Sequence, residues 1–198
     1  MNPNRRNVKS FSEDAVDIKT RSKNYLTLKE VRLILKAAKK TRYPDRNYLI
    51  ILMMFRHGLR VTEATNLLIK EINFDTSHIW IERLKKGQSV THRIDGDELR
   101  AIRRYLRSRN DNLPWLFINE RGNQLTRHAV YQMIKSVAKK ASIENVHPHT
   151  LRHSCGFYLA NEGHGIRVIQ DYLGHRDIKH TVIYTRITGR QFENIKWK

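Results

Sequence analysis

Five side chains in this sequence combine into one coherent piece of phosphate chemistry. They are Arg60 in His57-Gly-Leu-Arg-Val-Thr-Glu63, His149 and Arg152 in His149-Thr-Leu-Arg152, His175 in Leu173-Gly-His175, and Tyr184, nine residues further on. A guanidinium stays charged at any physiological pH and presents its donors in a planar fork that matches two non-bridging phosphate oxygens. Two such forks, Arg60 and Arg152, suit the charge that gathers on a pentacoordinate phosphorane, work that a metal ion does in many nucleases. His149 and Arg152 stand three residues apart, so on a helix they share a face and can grip one anion. With a tyrosine added, the set fits cleavage of a DNA phosphodiester by a tyrosine nucleophile.

No member of the set is informative alone. Among 38 Lys and Arg residues, Arg60 by itself reads as a surface or structural arginine, and His149 as a helix-start histidine. Competing chemistries find less support. His147, His149 and His153 hint at zinc, yet they form no His-Glu-x-x-His pattern and no Cys or carboxylate cluster completes a site. Neither a Gly-x-Ser-x-Gly elbow nor a Gly-rich Lys-Ser/Thr phosphate loop is present, so no metal, ATP or other cofactor is expected. Cys155, on a predicted helix after His153-Ser154, reads as a small buried thiol rather than a nucleophile.

The elements that must position these groups follow from local patterns. Thr27-Leu-Lys-Glu30 is a capping box opening a helix in which Val31, Leu35 and Ala38 recur at helical spacing. A second helix is predicted from about Arg46 to His57, stopping at Gly58, and a third from a Thr62 cap through Leu68. Arg60 is thereby placed in the tight connection between two helices. His78 to Leu84 alternates and can pair with Ser89 to Ile94 across Lys85-Lys-Gly-Gln88, a β-hairpin with lysines at its tip. Further helices are expected over 97–107, 127–141 behind Thr126, 149–162 behind Pro148, 166–173 ending at Gly174, and 177–187 carrying Tyr184. Trp115 to Ile118 reads as a short strand or turn. The fold class is therefore mainly α with a small antiparallel β-hairpin or sheet.

Composition bounds the partners. A formal charge of +19, from 38 basic against 19 acidic residues, points to a polyanion, and nucleic acid fits better than a membrane surface, which calls for one amphipathic basic helix with an apolar face. The apolar run from Tyr48 to Phe55 is too short for the ~20 residues that cross a bilayer. A single Cys and the absence of an apolar leader fit a reducing cytoplasm. The length suits one generous domain. Residues 1–24 read as a basic flexible tail, 25–187 as the folded catalytic domain, and 188–198 as a C-terminal tail able to dock on a neighbouring protomer.

These fragments, in this order, resemble the tyrosine recombinases, or phage integrases. The family signature is an Arg followed three residues later by Glu, a hairpin Lys, His-x-x-Arg, a Leu-Gly-His step and a downstream Tyr. Here it falls on Arg60 with Glu63, Lys86, His149 with Arg152, Leu173-Gly174-His175 and Tyr184, spanning about Tyr25 to Thr185. The phrases Arg83-Leu-Lys-Lys-Gly87, His147 to Gly156 and Ile169 to Arg176 are similar to the short bacterial recombinases that invert fimbrial promoter segments. Those consist of a catalytic domain with almost nothing in front of it.

The resemblance implies a tyrosine recombinase catalytic-domain fold and a metal-free, ATP-free mechanism. Tyr184 attacks the scissile phosphate to give a 3′-phosphotyrosyl link, and Arg60 and Arg152 hold the non-bridging oxygens. His149 manages the tyrosine proton, His175 bonds the phosphate, Lys86 protonates the departing 5′-oxygen, and Glu63 orients Arg60. Lys85 competes with Lys86 for the hairpin role, and Lys86 is favoured because it precedes Gly87. Tyr172 competes with Tyr184 and reads instead as a helix-packing aromatic. The implied partner is double-stranded DNA with inverted-repeat sites, bound by a homotetramer with room for accessory DNA-bending proteins, in the nucleoid-associated cytoplasm. A type IB topoisomerase-like relaxase and an inactive DNA-binding module are the alternative readings.

Overall fold

The capping box at Thr27 forms as its residue types dictate: the Thr27 hydroxyl accepts from the Glu30 amide, and the Glu30 carboxylate accepts from the Thr27 amide at 2.7 Å. It opens α1 (Leu28–Ala38) in a computed structural model that describes residues 24–83 and 87–185. The expected N-terminal tail short of Asn24, the hairpin-tip residues Lys85 and Lys86, and the tail 188–198 lie outside the described residues.

Helix α2 (Pro44–Arg56) starts two residues earlier than its apolar pattern suggests, because Pro44 fits the first turn, where no amide hydrogen is needed. Its apolar run from Leu49 to Phe55 is buried throughout, and the helix packs against α1, α4 and α6. It ends at Gly58, whose φ of +57° only glycine adopts freely; a Cβ there would also collide with Leu173. Helix α3 (Val61–Asn66) is not capped by Thr62. Arg60 occupies the cap position, and the Glu63 carboxylate reaches back to the Arg60 amide at 2.9 Å. The helix is shorter than its apolar pattern suggested, closing before Leu67.

The hairpin is present and gains a short third strand. Strands β1 (Ile72–Asn73), β2 (His78–Ile81) and β3 (Val90–Arg93) form an antiparallel sheet in the order β1-β2-β3, with Ile79 opposite His92 and Ile81 opposite Val90. Ile79 and Ile81 point inward, and Arg83 continues that face as a buried arginine. Helices α4 (Gly96–Arg107), α5 (Arg127–Lys140), α6 (Pro148–Asn161), α7 (Ile166–Leu173) and α8 (Lys179–Thr185) complete the chain. Thr126 caps α5 as expected, and Gly174 closes α7 in the left-handed conformation. Trp115 and Ile118 make isolated bridges to Leu68 and Gln124 rather than a strand of their own.

Two apolar clusters result. The larger joins α1 to α5 and the inner face of the sheet; the smaller gathers Cys155, Phe157, Ala160, Ile169, Leu173 and Tyr184 from α6, α7 and α8. Helix α6 borders both, because it packs on α2 along one side and on α7 and α8 along the other. Among the described residues no helix is long and apolar enough to cross a membrane.

Candidate active site

Glu63 organises the charged half of the site. Its Oε1 accepts from Arg60 Nη1 at 2.6 Å, its Oε2 from Arg83 Nη1 at 2.8 Å, and Arg152 Nη1 stands 3.8 Å from the same oxygen. Burial alone would raise this carboxyl's pKa, but Arg83 and the bonds from Arg60 overrule it and hold the pKa below the ordinary value. Glu63 is thus a fixed anion in the first turn of α3, and Arg60 is oriented from the helix it begins.

Arg152 comes from the second turn of α6, and its fork is spent partly on backbone. One Nη donates to the Gly58 carbonyl and the other to Leu173 O at 2.7 Å, so this arginine ties the α2–α3 connection to the Leu-Gly-His step. Burial, then the like charges of Arg60 and Arg83, lower its pKa to about 10, where it still carries its proton at neutral pH. Arg60 keeps 24% of its side chain exposed, against 5% for Arg152. The pair forms a cationic cluster whose more exposed member is Arg60.

Tyr184 lies near these arginines inside the smaller apolar cluster, only 1% exposed. Phe157 meets its ring edge-on at 5.2 Å, and the ring fills the space a Cβ on Gly156 would need, with ring atoms 2.6 Å from that position. Its hydroxyl lies 3.1 Å from Nδ1 of His153. Burial, then the neighbouring His149 and Arg152, lower the His153 pKa to about 4, so the ring is neutral and shares one hydrogen bond with the phenol. Burial raises the Tyr184 pKa to about 12, with Arg152 pulling the other way. The proton therefore stays on the tyrosine while it occupies this slot.

His175 follows the left-handed Gly174, and its ring lies nearly parallel to that of Tyr184 with centroids 6.3 Å apart. Its Nδ1 is 2.9 Å from the Thr181 hydroxyl, which fixes the ring; burial, then Arg152 and Arg60, lower its pKa to about 3. His149 sits exposed in the first turn of α6, one turn before Arg152. Tyr172 instead donates to Arg56 O at 2.9 Å and stacks on His92 at 3.8 Å, as a packing aromatic does. Cys155 is buried, and its thiol is raised to about 12 by that burial.

The structure thus gathers Arg60, Glu63, Arg152, His175 and Tyr184 at one place, with His149 on its rim, while Lys86 lies outside the described residues. Both arms leading to that hairpin tip are fixed near the site: the Arg83 amide donates to Ser89 Oγ at 3.0 Å, and the Gln88 carbonyl lies 2.8 Å from where a Gly174 Cβ would stand. Sequence reasoning missed Arg83, His153 and Thr181. The inward alternation of Ile79 and Ile81 could have exposed Arg83, since the next residue in that alternation, two past the end of β2, is an arginine. For His153 no sequence signal existed beyond its place one residue after Arg152.

Comparison with known proteins agrees with this geometry. Residues 24–190 match the model of the phage integrase family. The chain is 41% identical over 180 residues to the type 1 fimbriae regulatory protein FimB of Escherichia coli K12, covering 88% of this chain and 90% of that one. Its fold is similar to the crystal structure of XerA recombinase, with a TM-score of 0.76 and 27% identity over 87% of this chain and 66% of that chain. It is also similar to XerH site-specific recombinase in a post-cleavage complex with its palindromic difH substrate, with a TM-score of 0.72 and 25% identity over 85% of this chain and 51% of that one. The helical frame, the Arg60–Glu63–Arg152 cluster and the neighbouring tyrosine place this chain in the phage integrase family, as a tyrosine-type site-specific recombinase acting on DNA.

Proposed function

We propose that the protein inverts a DNA segment flanked by inverted repeats and so switches a fimbrial promoter. The carrying observation is the pair of arginines held on one buried carboxylate beside a buried tyrosine, in a chain that matches FimB over nearly the whole length of both. In this reading Arg60 and Arg152 bind the non-bridging oxygens of the scissile phosphate. Tyr184 leaves its slot, its oxygen bonds to phosphorus, and the bond from phosphorus to the 5′-oxygen breaks. His149 takes the phenolic proton, His175 donates a hydrogen bond to the phosphate, and Lys86 protonates the departing oxygen. The ester conserves the energy of the broken bond, so rejoining needs no nucleotide cofactor.

Four protomers on two sites perform the exchange, with the C-terminal tail 188–198 docking on a neighbour and the tail 1–24 remaining outside the catalytic domain 25–187. Accessory DNA-bending proteins bring the sites together in the nucleoid. The charge of +19 supports such an environment, since phosphate contacts release counterions.

The test uses a nicked suicide duplex drawn from DNA beside the gene. Wild type should form a covalent protein–DNA adduct and Tyr184→Phe should not, while both bind the duplex alike. Sequencing of junctions after expression beside that locus should show inversion between repeats. An adduct from the phenylalanine variant would overturn the nucleophile, and plasmid relaxation without any junction would favour a relaxase.

A further inference from the structure

Three guanidiniums and one carboxylate share a single hydrogen-bonded set, yet only two of the guanidiniums can serve a phosphate. The side chain of Arg83 is 0% exposed, so it cannot touch DNA. It donates to Glu63 Oε2 at 2.8 Å, to His57 O at 3.0 Å and to Tyr172 O at 2.7 Å, and shares the Gly58 carbonyl with Arg152. We propose that Arg83 is a positioning residue for strand cleavage: it takes up the charge of Glu63, so that Arg60 and Arg152 meet the phosphate with their full positive charge. The inference rests on Arg60 and Arg152 being the phosphate ligands.

The charge count makes the case. Arg60, Arg83 and Arg152 supply three positive charges and Glu63 one negative, leaving two. Without Arg83 one would remain, and Glu63 would spend its whole charge on the two working arginines. Packing alone does not call for an arginine here, since Ile79 and Ile81 fill the inward positions of β2 just before it. Burying a guanidinium is costly unless it is paired, and this one is paired to the carboxylate that would otherwise compete with the substrate. Arg83 also joins the elements that carry the other groups: the α2–α3 connection through His57 and Gly58, and the end of α7 through Tyr172 O. Its Cγ lies 2.6 Å from where a Gly174 Cβ would stand.

Orthovanadate, followed by 51V NMR with the full chain and no DNA, reads the anion affinity of the arginine pair directly. One elementary charge within a few ångströms of a partly buried site is worth on the order of tenfold in anion affinity. Arg83→Met should weaken vanadate binding by about that factor. Arg83→Lys, which keeps the charge, and the double variant Glu63→Gln/Arg83→Met, which restores the net charge, should both return to within about threefold of wild type. A residue acting only as a structural tie would not be rescued by removing Glu63. A folded Arg83→Met protein that binds vanadate like wild type, or a double variant no tighter than the single, overturns the proposal. Should Arg83→Met not fold, Glu63→Gln/Arg83→Met is compared with wild type directly; affinity within about threefold of wild type supports the proposal, and a loss of about tenfold overturns it. Arg60→Ala is the control: if it leaves vanadate bound, the phosphate-ligand reading falls and the role of Arg83 with it.

Discussion

Arg152 and His153 are successive residues of α6, about 100° apart around the helix, and they point into environments of opposite kind. Arg152 enters a set of charges in which each group is fixed by a counter-charge or a backbone carbonyl. His153 enters an apolar slot and meets a tyrosine through one neutral hydrogen bond. In the proposed reaction the arginine side is prepared for the charge of the transition state, because its donors are already oriented and little reorganisation is needed when phosphate arrives. The tyrosine side holds the proposed nucleophile protonated and out of solvent. A phenol near 12 facing a histidine near 4 does not give up its proton, so in the proposed reaction Tyr184 leaves His153 and moves toward the arginines, whose charge favours the phenolate. In the proposed mechanism the contrast separates binding of the substrate from release of the nucleophile.

The largest disturbance of the contrast should come from Glu63→Ala. It leaves Arg83 and Arg152 buried without their anion, and chemical denaturation should show a loss of about 3–5 kcal/mol, with adduct formation falling alongside. Acid should act on the other side first. His153 and His175 are neutral when folded, with pKa values near 4 and 3, while the unfolded chain titrates near 6.5. The unfolded state therefore binds more protons as pH falls, and stability, complete above about 6.5, should fall by up to roughly 1.4 kcal/mol per pH unit for each histidine until its folded pKa is reached. His92, near 3 through burial beside His57, adds to the same slope. Urea midpoints measured from pH 7.5 to 4.5 check this; a flat profile would mean that these rings do not remain neutral.

A smaller effect is expected at Gly156. An alanine methyl would meet the Tyr184 ring, costing about 1–3 kcal/mol and pushing the ring outward. Nitration by tetranitromethane should then reach Tyr184 faster than in wild type; unchanged nitration would show that the slot can relax. The smallest concerns the single hydrogen bond. His153→Phe leaves the hydroxyl without its partner and should cost about 1–2 kcal/mol, whereas His153→Asn, whose amide can stand where Nδ1 stood and either donate or accept, should recover most of it. Equal thermal stability of the two variants would argue that the bond contributes nothing.

The helical frame was largely legible because its signals are local. The Thr27–Glu30 box, the Thr126 cap, and the glycines at 58 and 174 each act within one turn of chain, and the structure places helix ends there. The errors fell where a distant partner decided. Thr62 has the right chemistry to cap a helix, but the Glu63 carboxylate, already held by Arg83 from the sheet, satisfies the Arg60 amide and moves the start of α3 upstream. The third strand β1 is two residues long, too short to show alternation, and exists because β2 offers it an edge.

By itself the sequence determined which groups are available and in what order: two arginines, a glutamate one turn past the first, a His-x-x-Arg pair, a Leu-Gly-His step and a tyrosine, since residue type and spacing carry chemistry and local conformation directly. Only the tertiary structure decided how they are coupled. That Arg83 shares Glu63 with Arg60, that Arg152 grips Gly58 and Leu173, and that His153 receives the tyrosine hydroxyl depend on contacts between residues 20 to 94 positions apart. Such contacts form only when packed helices bring them together, because burial makes an unpaired charge or hydroxyl too costly to leave without a partner.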